Sequence, residues 1–140
     1  MYKIRIYSIG KTKEEWLETA IAEYLKRLQK TAVIEFILAK NDEQLVGLVE
    51  KEDAVICLDA LGQMMDSEKF SFYLVKQLET HGARLAFVIG RAEGLPPVLK
   101  KRHPLLSFSL MTFTHQVIRL ILVEQVYRAI EIDKGSRYHK

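Results

Sequence analysis

Two stretches of this chain are apolar without alternation: Ala54-Val55-Ile56-Cys57-Leu58 and, after Arg84, Leu85-Ala86-Phe87-Val88-Ile89. A strand with one face in water alternates apolar and polar side chains. A continuous run of this length is the pattern of a strand covered on both faces, as in a parallel sheet with helices above and below. Asp59 then stands at the carboxyl end of the first run and Gly90 at the end of the second. The rest of the chain supplies the helices that such a sheet requires. Ile4, Ile6 and Ile9 mark a first strand closed by Gly10. Thr12 and Glu15 have capping-box spacing, and Trp16, Leu17, Ala20, Ile21, Tyr24, Leu25 and Leu28 place one apolar stripe on a helix over 14–30. Ala32 to Ala39 reads as a second strand. Asn41-Asp42 caps a short helix carrying Leu45, Leu48 and Val49. Gly62 reads as a turn, and Asp66-Ser67 opens a helix with Phe70, Leu74, Val75 and Leu78 that stops near Gly82. Strands separated by helices predict a doubly wound α/β sheet, with ligands at the carboxyl ends of the strands.

At 140 residues, 49% of them hydrophobic, the chain fills one core, so a single domain over 1–140 is expected. No apolar run approaches the roughly 20 residues that cross a bilayer, and the N-terminus lacks the pattern of a processed signal. A soluble cytoplasmic protein without membrane association is the expectation. Cys57 is the one cysteine, which excludes an internal disulfide or a thiolate metal cluster, and its apolar neighbours make it a buried small hydrophobe. A formal charge of +3 admits a polyanionic partner without demanding one. The basic side chains gather at Lys100-Lys101-Arg102-His103 and at Lys134, Arg137, His139 and Lys140; either group also suits an ordinary solvated surface.

The final third has a different character. Leu105 to Leu110 reads as a last strand, Met111 to Thr114 as a loop, and His115 to Ile132 as a helix. Around that helix, His115, Gln116 and Arg119 share one polar side, Glu124, Gln125 and Arg128 lie roughly opposite, and apolar residues occupy nearly every other direction. Such a helix has more apolar surface than one sheet face can cover, and a partner subunit is expected on its second side. Glu124 and Arg128 have the i, i+4 spacing of a surface ion pair.

Gly90-Arg91-Ala92-Glu93-Gly94 follows a strand and precedes a proline-led helix start at Leu95-Pro96-Pro97. Glycine there lets backbone approach a ligand, or simply makes a tight turn. No GxGxxG or GxxxxGK[ST] spacing occurs, which argues against a phosphate-cradling nucleotide site. The segment from Leu106 to Ala129, Leu-Ser-Phe-Ser-Leu-Met-Thr-Phe-Thr-His-Gln-Val-Ile-Arg and onward, together with the ending Tyr138-His139-Lys140, resembles the SPOUT superfamily of methyltransferases. Within it, the pattern is close to the ribosomal large-subunit pseudouridine N3-methyltransferases. The resemblance covers nearly the whole chain, including Ile9-Gly10-Lys11 and Leu58-Asp59-Ala60-Leu61-Gly62.

That resemblance implies an α/β domain, a mostly parallel sheet flanked by helices, with a C-terminal trefoil knot whose loops hold S-adenosylmethionine. Carried over position by position, the cofactor pocket comprises Leu58, Gly90, Phe108, Ser109, Leu110, Met111, Thr112 and Phe113. Phe108, Leu110 and Phe113 are equally suited to core packing. The implied reaction is metal-free methylation of N3 of a pseudouridine in 23S rRNA, within the large subunit or the assembled ribosome, by a homodimer. His139 is the candidate general base or base-orienting group, Tyr138 a stacking group, and Arg137 and Lys140 phosphate contacts. Arg119 and His115 are candidates for the catalytic and substrate-positioning groups at the start of the last helix. Two positions depart from the family pattern: Arg91 stands where a second glycine is usual, and Thr114 where proline is usual. The stretch between Ala39 and Ala54 is also shorter than expected. Arg91 leaves open a noncatalytic ribosome- or RNA-binding protein of the same fold.

Overall fold

The computed structural model describes all 140 residues. Five strands, β1 (Tyr2–Ile9), β2 (Ala32–Ala39), β3 (Val55–Met64), β4 (Arg84–Ile89) and β5 (Leu105–Ser107), form one sheet in the order β2-β1-β4-β3-β5. Every pairing in it is parallel. The helices are α1 (Glu15–Leu28), α2 (Asp42–Val49), α3 (Ser67–Thr80), α4 (Pro97–Arg102) and α5 (His115–Lys134).

The two-residue period of each strand sorts its side chains between two cores. Ile4 and Ile6 of β1 and Leu85, Phe87 and Ile89 of β4 point to one face, where Leu17 and Ile21 of α1, Leu74 and Leu78 of α3 and Leu122 and Val126 of α5 bury them. Tyr7, Ala86 and Val88 point to the other face and meet Leu45 and Val49 of α2 and Leu95 and Leu99 at α4. Both apolar runs therefore lie in central strands of a three-layer sandwich. Cys57 is fully buried in the second core, where desolvation raises its thiol to about 12, so it is neither nucleophile nor ligand.

The structure differs from the sequence reading at four places. Gly62 is not a turn, because β3 continues through it to Met64 and, after an irregularity between Leu58 and Gln63, pairs again with β5. A side chain there is excluded by close approach: a Cβ on Gly62 would lie 2.6 Å from the carbonyl carbon of Leu105. The capping box at Thr12 does not form. Glu14 is the N-cap residue of α1 without a side-chain cap, and the Thr12 hydroxyl is taken by Arg119. The last strand ends at Ser107, after which the chain turns on two serine hydroxyls. Finally, the inner side of α5 is the one that carries Arg119, together with Leu122, Val123, Val126, Ala129 and Ile130. It is not a polar side. Arg119 is fully buried, so α5 is set into the layer between α1 and α3 with a cation at its core.

Candidate active site

The middle of β3, where its pairing with β5 is irregular, the carboxyl ends of β4 and β5 and the first turn of α5 surround a cavity of about 890 Å³. That lies within the roughly 300–1,000 Å³ typical of small-molecule sites. Leu58, Asp59 and Ala60 come from β3, Ile89 and Gly90 to Leu95 from the segment after β4, and Phe108 to Thr114 from the loop after β5, with Leu110 as the exception. His115, Gln116, Val117 and Ile118 close the side formed by α5, and Glu14, Trp16 and Leu17 the side formed by α1.

Of the cofactor residues expected from sequence, Leu58, Gly90, Phe108, Ser109, Met111, Thr112 and Phe113 line this cavity. Leu110 does not; the residue is 68% exposed. Phe108 serves both packing and wall, since its ring meets Phe70 edge-on at 6.0 Å between centroids. The loop that carries these residues is held by its own serines. Ser107 Oγ donates to the Ser109 carbonyl (2.9 Å), and Ser109 Oγ accepts from the Met111 amide (3.0 Å). Opposite it, a Cβ on Gly90 would lie 2.7 Å from the Gly94 carbonyl carbon and 2.8 Å from the Leu95 amide, so the Gly90–Gly94 turn closes only on glycine.

Arg91 turns toward carboxylates. Its Nε lies 3.3 Å from Asp42 Oδ1 at the start of α2, within ion-pair range though outside hydrogen-bond geometry, and 3.7 Å from Glu93 Oε2. The charge that departs from the family pattern is thus matched locally. Thr114 takes over a different task from the usual proline: its hydroxyl accepts from the Val117 amide (3.2 Å) and caps α5. Asp59, expected at a strand end, lies instead in the middle of β3, because the strand continues to Met64, and it is a mostly buried wall residue. Its carboxylate accepts from the Leu61 amide (2.8 Å) and pairs with Lys100 at 3.2 Å.

His115 sits at the cavity wall. Burial, and then the charges of Arg119 and Lys13, lower its pKa, with Glu93 opposing. A neutral imidazole, able to accept a proton, is favoured near pH 7. Arg119 lies behind it, with three hydrogen bonds to the segment after β1: Nη1 to Thr12 Oγ1 (2.8 Å), and Nη2 to the carbonyls of Ile9 (3.1 Å) and Gly10 (2.7 Å). Its Nε is buried without a partner.

The tail is elsewhere. Tyr138 donates to Glu124 Oε2 (2.9 Å) and packs edge-on against Tyr127, with the Arg128 guanidinium 4.8 Å from its ring centre. Arg128 Nη1 is 3.0 Å from His139 Nδ1, and His139 Nε2 is 3.6 Å from Glu68. Arg128 also holds Glu124 through Nη2 at 2.9 Å, the ion pair read from the i, i+4 spacing. Burial first, then hydrogen bonding with Tyr24 and Glu124, pushes the Tyr138 phenol well up, so it stays protonated. None of Arg137, Tyr138, His139 and Lys140 lines the cavity of its own chain. Arg128 is nine residues along α5 from Arg119, about 13 Å at the helical rise.

The donor set suits S-adenosylmethionine. Apolar walls from Leu58, Ile89, Leu95, Leu106 and Phe108 fit an adenine ring. Of the acidic wall residues, Asp59 and Glu93 are offset by Lys100 and Arg91, Glu14 is in no ion pair and suits a cationic sulfonium or ammonium, and Gly90 brings backbone close. No group of three His, Cys, Asp or Glu side chains is placed to hold a metal ion. No helix is long and apolar enough to cross a membrane.

A family model described as "Predicted SPOUT methyltransferase" matches residues 2–139. The chain is 54% identical over 140 residues to a protein of Protochlamydia amoebophila named "Ribosomal RNA large subunit methyltransferase H", with both chains covered completely. Proteins of the same name from Halothermothrix orenii and Streptococcus sanguinis are 41% and 38% identical, with 99% of each chain covered. Those two alignments run over 159 positions against the 140 residues here, so this chain is shorter than those two relatives, whereas the Protochlamydia protein aligns over 140 residues. Among solved structures, a probable methylase family protein from Haemophilus influenzae shares the fold, with a TM-score of 0.61 at 12% identity over 98% of this chain and 70% of the other. An all-parallel sheet, a glycine-closed cavity at its carboxyl edge and relatives matched from end to end agree: the chain belongs to the SPOUT methyltransferases, in the ribosomal RNA large subunit methyltransferase H family.

Proposed function

We propose that this protein transfers the methyl group of S-adenosylmethionine to N3 of pseudouridine 1915 in 23S rRNA of the large ribosomal subunit. The observation that carries the reading is the cavity itself, in which Leu58, Gly90 and the Phe108–Phe113 loop, all but Leu110, converge between the middle of β3 and the carboxyl ends of β4 and β5. Bound there, S-adenosylmethionine supplies an electrophilic methyl group; the S–CH3 bond breaks as the N3–CH3 bond forms, and the imide proton leaves N3. The protein's contribution is alignment and proton removal. Gly90 and the serine-held loop fix the cofactor's position. A neutral His115 in the wall is available to orient the base or take a hydrogen bond from it, and the pairing of Arg91 with Asp42 and Glu93 leaves the cavity to the cofactor.

The catalytic tail comes from a second copy in this proposal. Within one chain, Tyr138 and His139 rest on Glu124 and Arg128, away from the cavity. The outer face of α5 leaves Val117, Leu120 and Ile121 half-buried, and Trp16 and Phe72 on the flanking helices are 60% and 72% exposed. A homodimer through this face covers that surface and brings each tail toward the partner's cavity, where His139 serves as base, Tyr138 stacks on the target, and Arg137 and Lys140 meet phosphates. The trefoil threading of the C-terminal segment belongs to the same reading. It is supported by β5 lying beyond β3 at the sheet edge while α5 returns beneath the sheet to β4. A cytoplasmic location follows from a ribosomal substrate.

Deleting Tyr138-His139-Lys140 tests the division of labour. Calorimetry is expected to show S-adenosylmethionine binding close to that of the full chain, while methyl transfer to ribosomes from a strain lacking the activity is lost. Unchanged turnover removes the tail from the mechanism.

A further inference from the structure

Arg119 makes no contact that its position beside the cavity would require of a substrate-binding group, and it is nonetheless the largest fully buried side chain of the molecule. All three of its hydrogen bonds go to one short segment, residues 9–12, between β1 and α1. That segment turns at Gly10 with φ of +82°, a conformation that L side chains rarely adopt. A further bond from α5 reaches the same loop: the Lys13 amide donates to Gln116 Oε1 at 3.0 Å. The first two turns of α5 thus grip the loop at four points, and the residues immediately before the helix, Phe108 to Thr114 except Leu110, line the cavity. Glu14, Trp16 and Leu17, which follow the loop, form the opposing wall. Loop and cofactor wall are therefore fixed to one another through α5.

What the loop presents is charge. Lys11 and Lys13 are exposed, and neither ammonium lies within 4.0 Å of a carboxylate. Of the other cations near the cavity, Arg91 pairs with Asp42 and Glu93, Lys100 with Asp59 and Arg102 with Glu50, while Lys101 is exposed and in no ion pair. Lys13 is near enough to His115 to contribute to its lowered pKa. Unmatched cations at the lip of a site suit a polyanionic backbone, to which they contribute by counterion release.

We infer that Arg119 is a positioning residue that holds the β1–α1 loop as the RNA-facing lip of the cavity, so that Lys11 and Lys13 meet backbone phosphates of the RNA substrate. This rests on the proposed action on ribosomal RNA. The burial of Arg119 with an unpartnered Nε fits a geometric function: the guanidinium is spent on backbone carbonyls and one hydroxyl, and desolvation lowers its pKa without a carboxylate to offset the cost.

The test compares the wild type, Lys11→Ala/Lys13→Ala, Arg119→Met and all three substitutions combined, as full chains. Calorimetry measures S-adenosylmethionine, and the KM for ribosomes from a strain lacking the activity is followed over a range of monovalent salt. For the lysine pair, S-adenosylmethionine affinity stays within about 2-fold of wild type, and the slope of log KM against log salt falls by about 1.4, roughly 0.7 per lost contact to single-stranded RNA. Arg119→Met produces the same loss of slope, and the triple variant loses no more than either parent, because loop and clamp act as one unit. An unchanged slope in the lysine variant overturns the inference. So does additive loss in the triple variant, which assigns Arg119 a separate role. If Arg119→Met does not fold, Thr12→Val, which removes one of the loop's hydrogen bonds to Arg119, takes its place, and an unchanged salt slope in that variant overturns the positioning role. Failure of the wild type to methylate ribosomes while it still binds S-adenosylmethionine counts against the proposed substrate and is thereby told apart from failure of the lip.

Discussion

At the residue scale, the site depends on atoms that are absent as much as on those present. Gly90 and Gly62 both lack room for a Cβ, and in each case the obstructing atoms are backbone. Alanine at either position forces the chain apart, at a cost of about 1–3 kcal/mol for such overpacking. The two are distinguished by function. Gly90→Ala is expected to weaken S-adenosylmethionine binding at least as much as it lowers thermal stability, whereas Gly62→Ala, at the β3–β5 contact, is expected to lower the melting temperature foremost; calorimetry and thermal melts separate them. His115 adds a pH signature. Its pKa in the fold is lowered, chiefly by burial, so the unfolded chain takes up the proton first as pH falls. Its contribution is therefore complete above the unfolded value near 6.5 and is lost as pH drops through the lower folded value. His103 shifts in the same direction through burial and Arg102. His115→Gln is expected to flatten part of the stability loss between pH 7 and 5 in urea titrations, and an unaltered profile contradicts the assignment. The sequence named most of the residues that line the cavity, while Arg119 and the tail lie outside it. The cofactor wall was read from its resemblance to a family, but the exposure of Leu110 and the committed guanidinium of Arg119 depend on which way a side chain faces, which no local pattern encodes.

At the element scale, apolar runs in β3 and β4 and periodic stripes in α1 and α3 gave those elements directly, because burial on two faces or one is written into the spacing. The misread elements are those where a distant segment decides. Gly62 has the look of a turn, yet β5 holds it in a strand. Thr12 and Glu15 have capping spacing, yet Arg119, more than a hundred residues later, takes the hydroxyl. Helix α5, apolar nearly all round, was expected to need a partner for one whole side. Its neighbours α1 and α3 cover more of it than a lone sheet contact allows, leaving Val117, Leu120 and Ile121 half-buried on the outer face. Its start shows how a departure from family pattern is absorbed. Thr114 has φ of −62°, which proline also adopts, and supplies a cap that proline lacks. Thr114→Ala is expected to lose about 1 kcal/mol in denaturant titrations. Thr114→Pro is expected to lose less, since the rigid ring restricts the unfolded chain; a larger loss for proline than for alanine contradicts this account of the cap.

For the whole molecule, one small parallel sandwich provides a cavity beside the ends of β4 and β5, proposed to take the cofactor, and the residues expected to complete the chemistry end up on the far half of α5. That separation could not be read from sequence, since the tail and the cavity are each recognisable while their distance is a property of the folded chain. It makes assembly part of the proposed mechanism. Membership in a methyltransferase family and the fit of the cavity to S-adenosylmethionine converge on a single reaction at a single base. The direct measurement is to incubate the purified protein with methyl-labelled S-adenosylmethionine and ribosomes from a strain lacking the activity, digest the RNA and identify the labelled nucleoside by mass spectrometry. The account predicts label in 23S rRNA as N3-methylpseudouridine and nowhere else. Label in another nucleoside, or none under conditions where a relative of the same family succeeds, contradicts it.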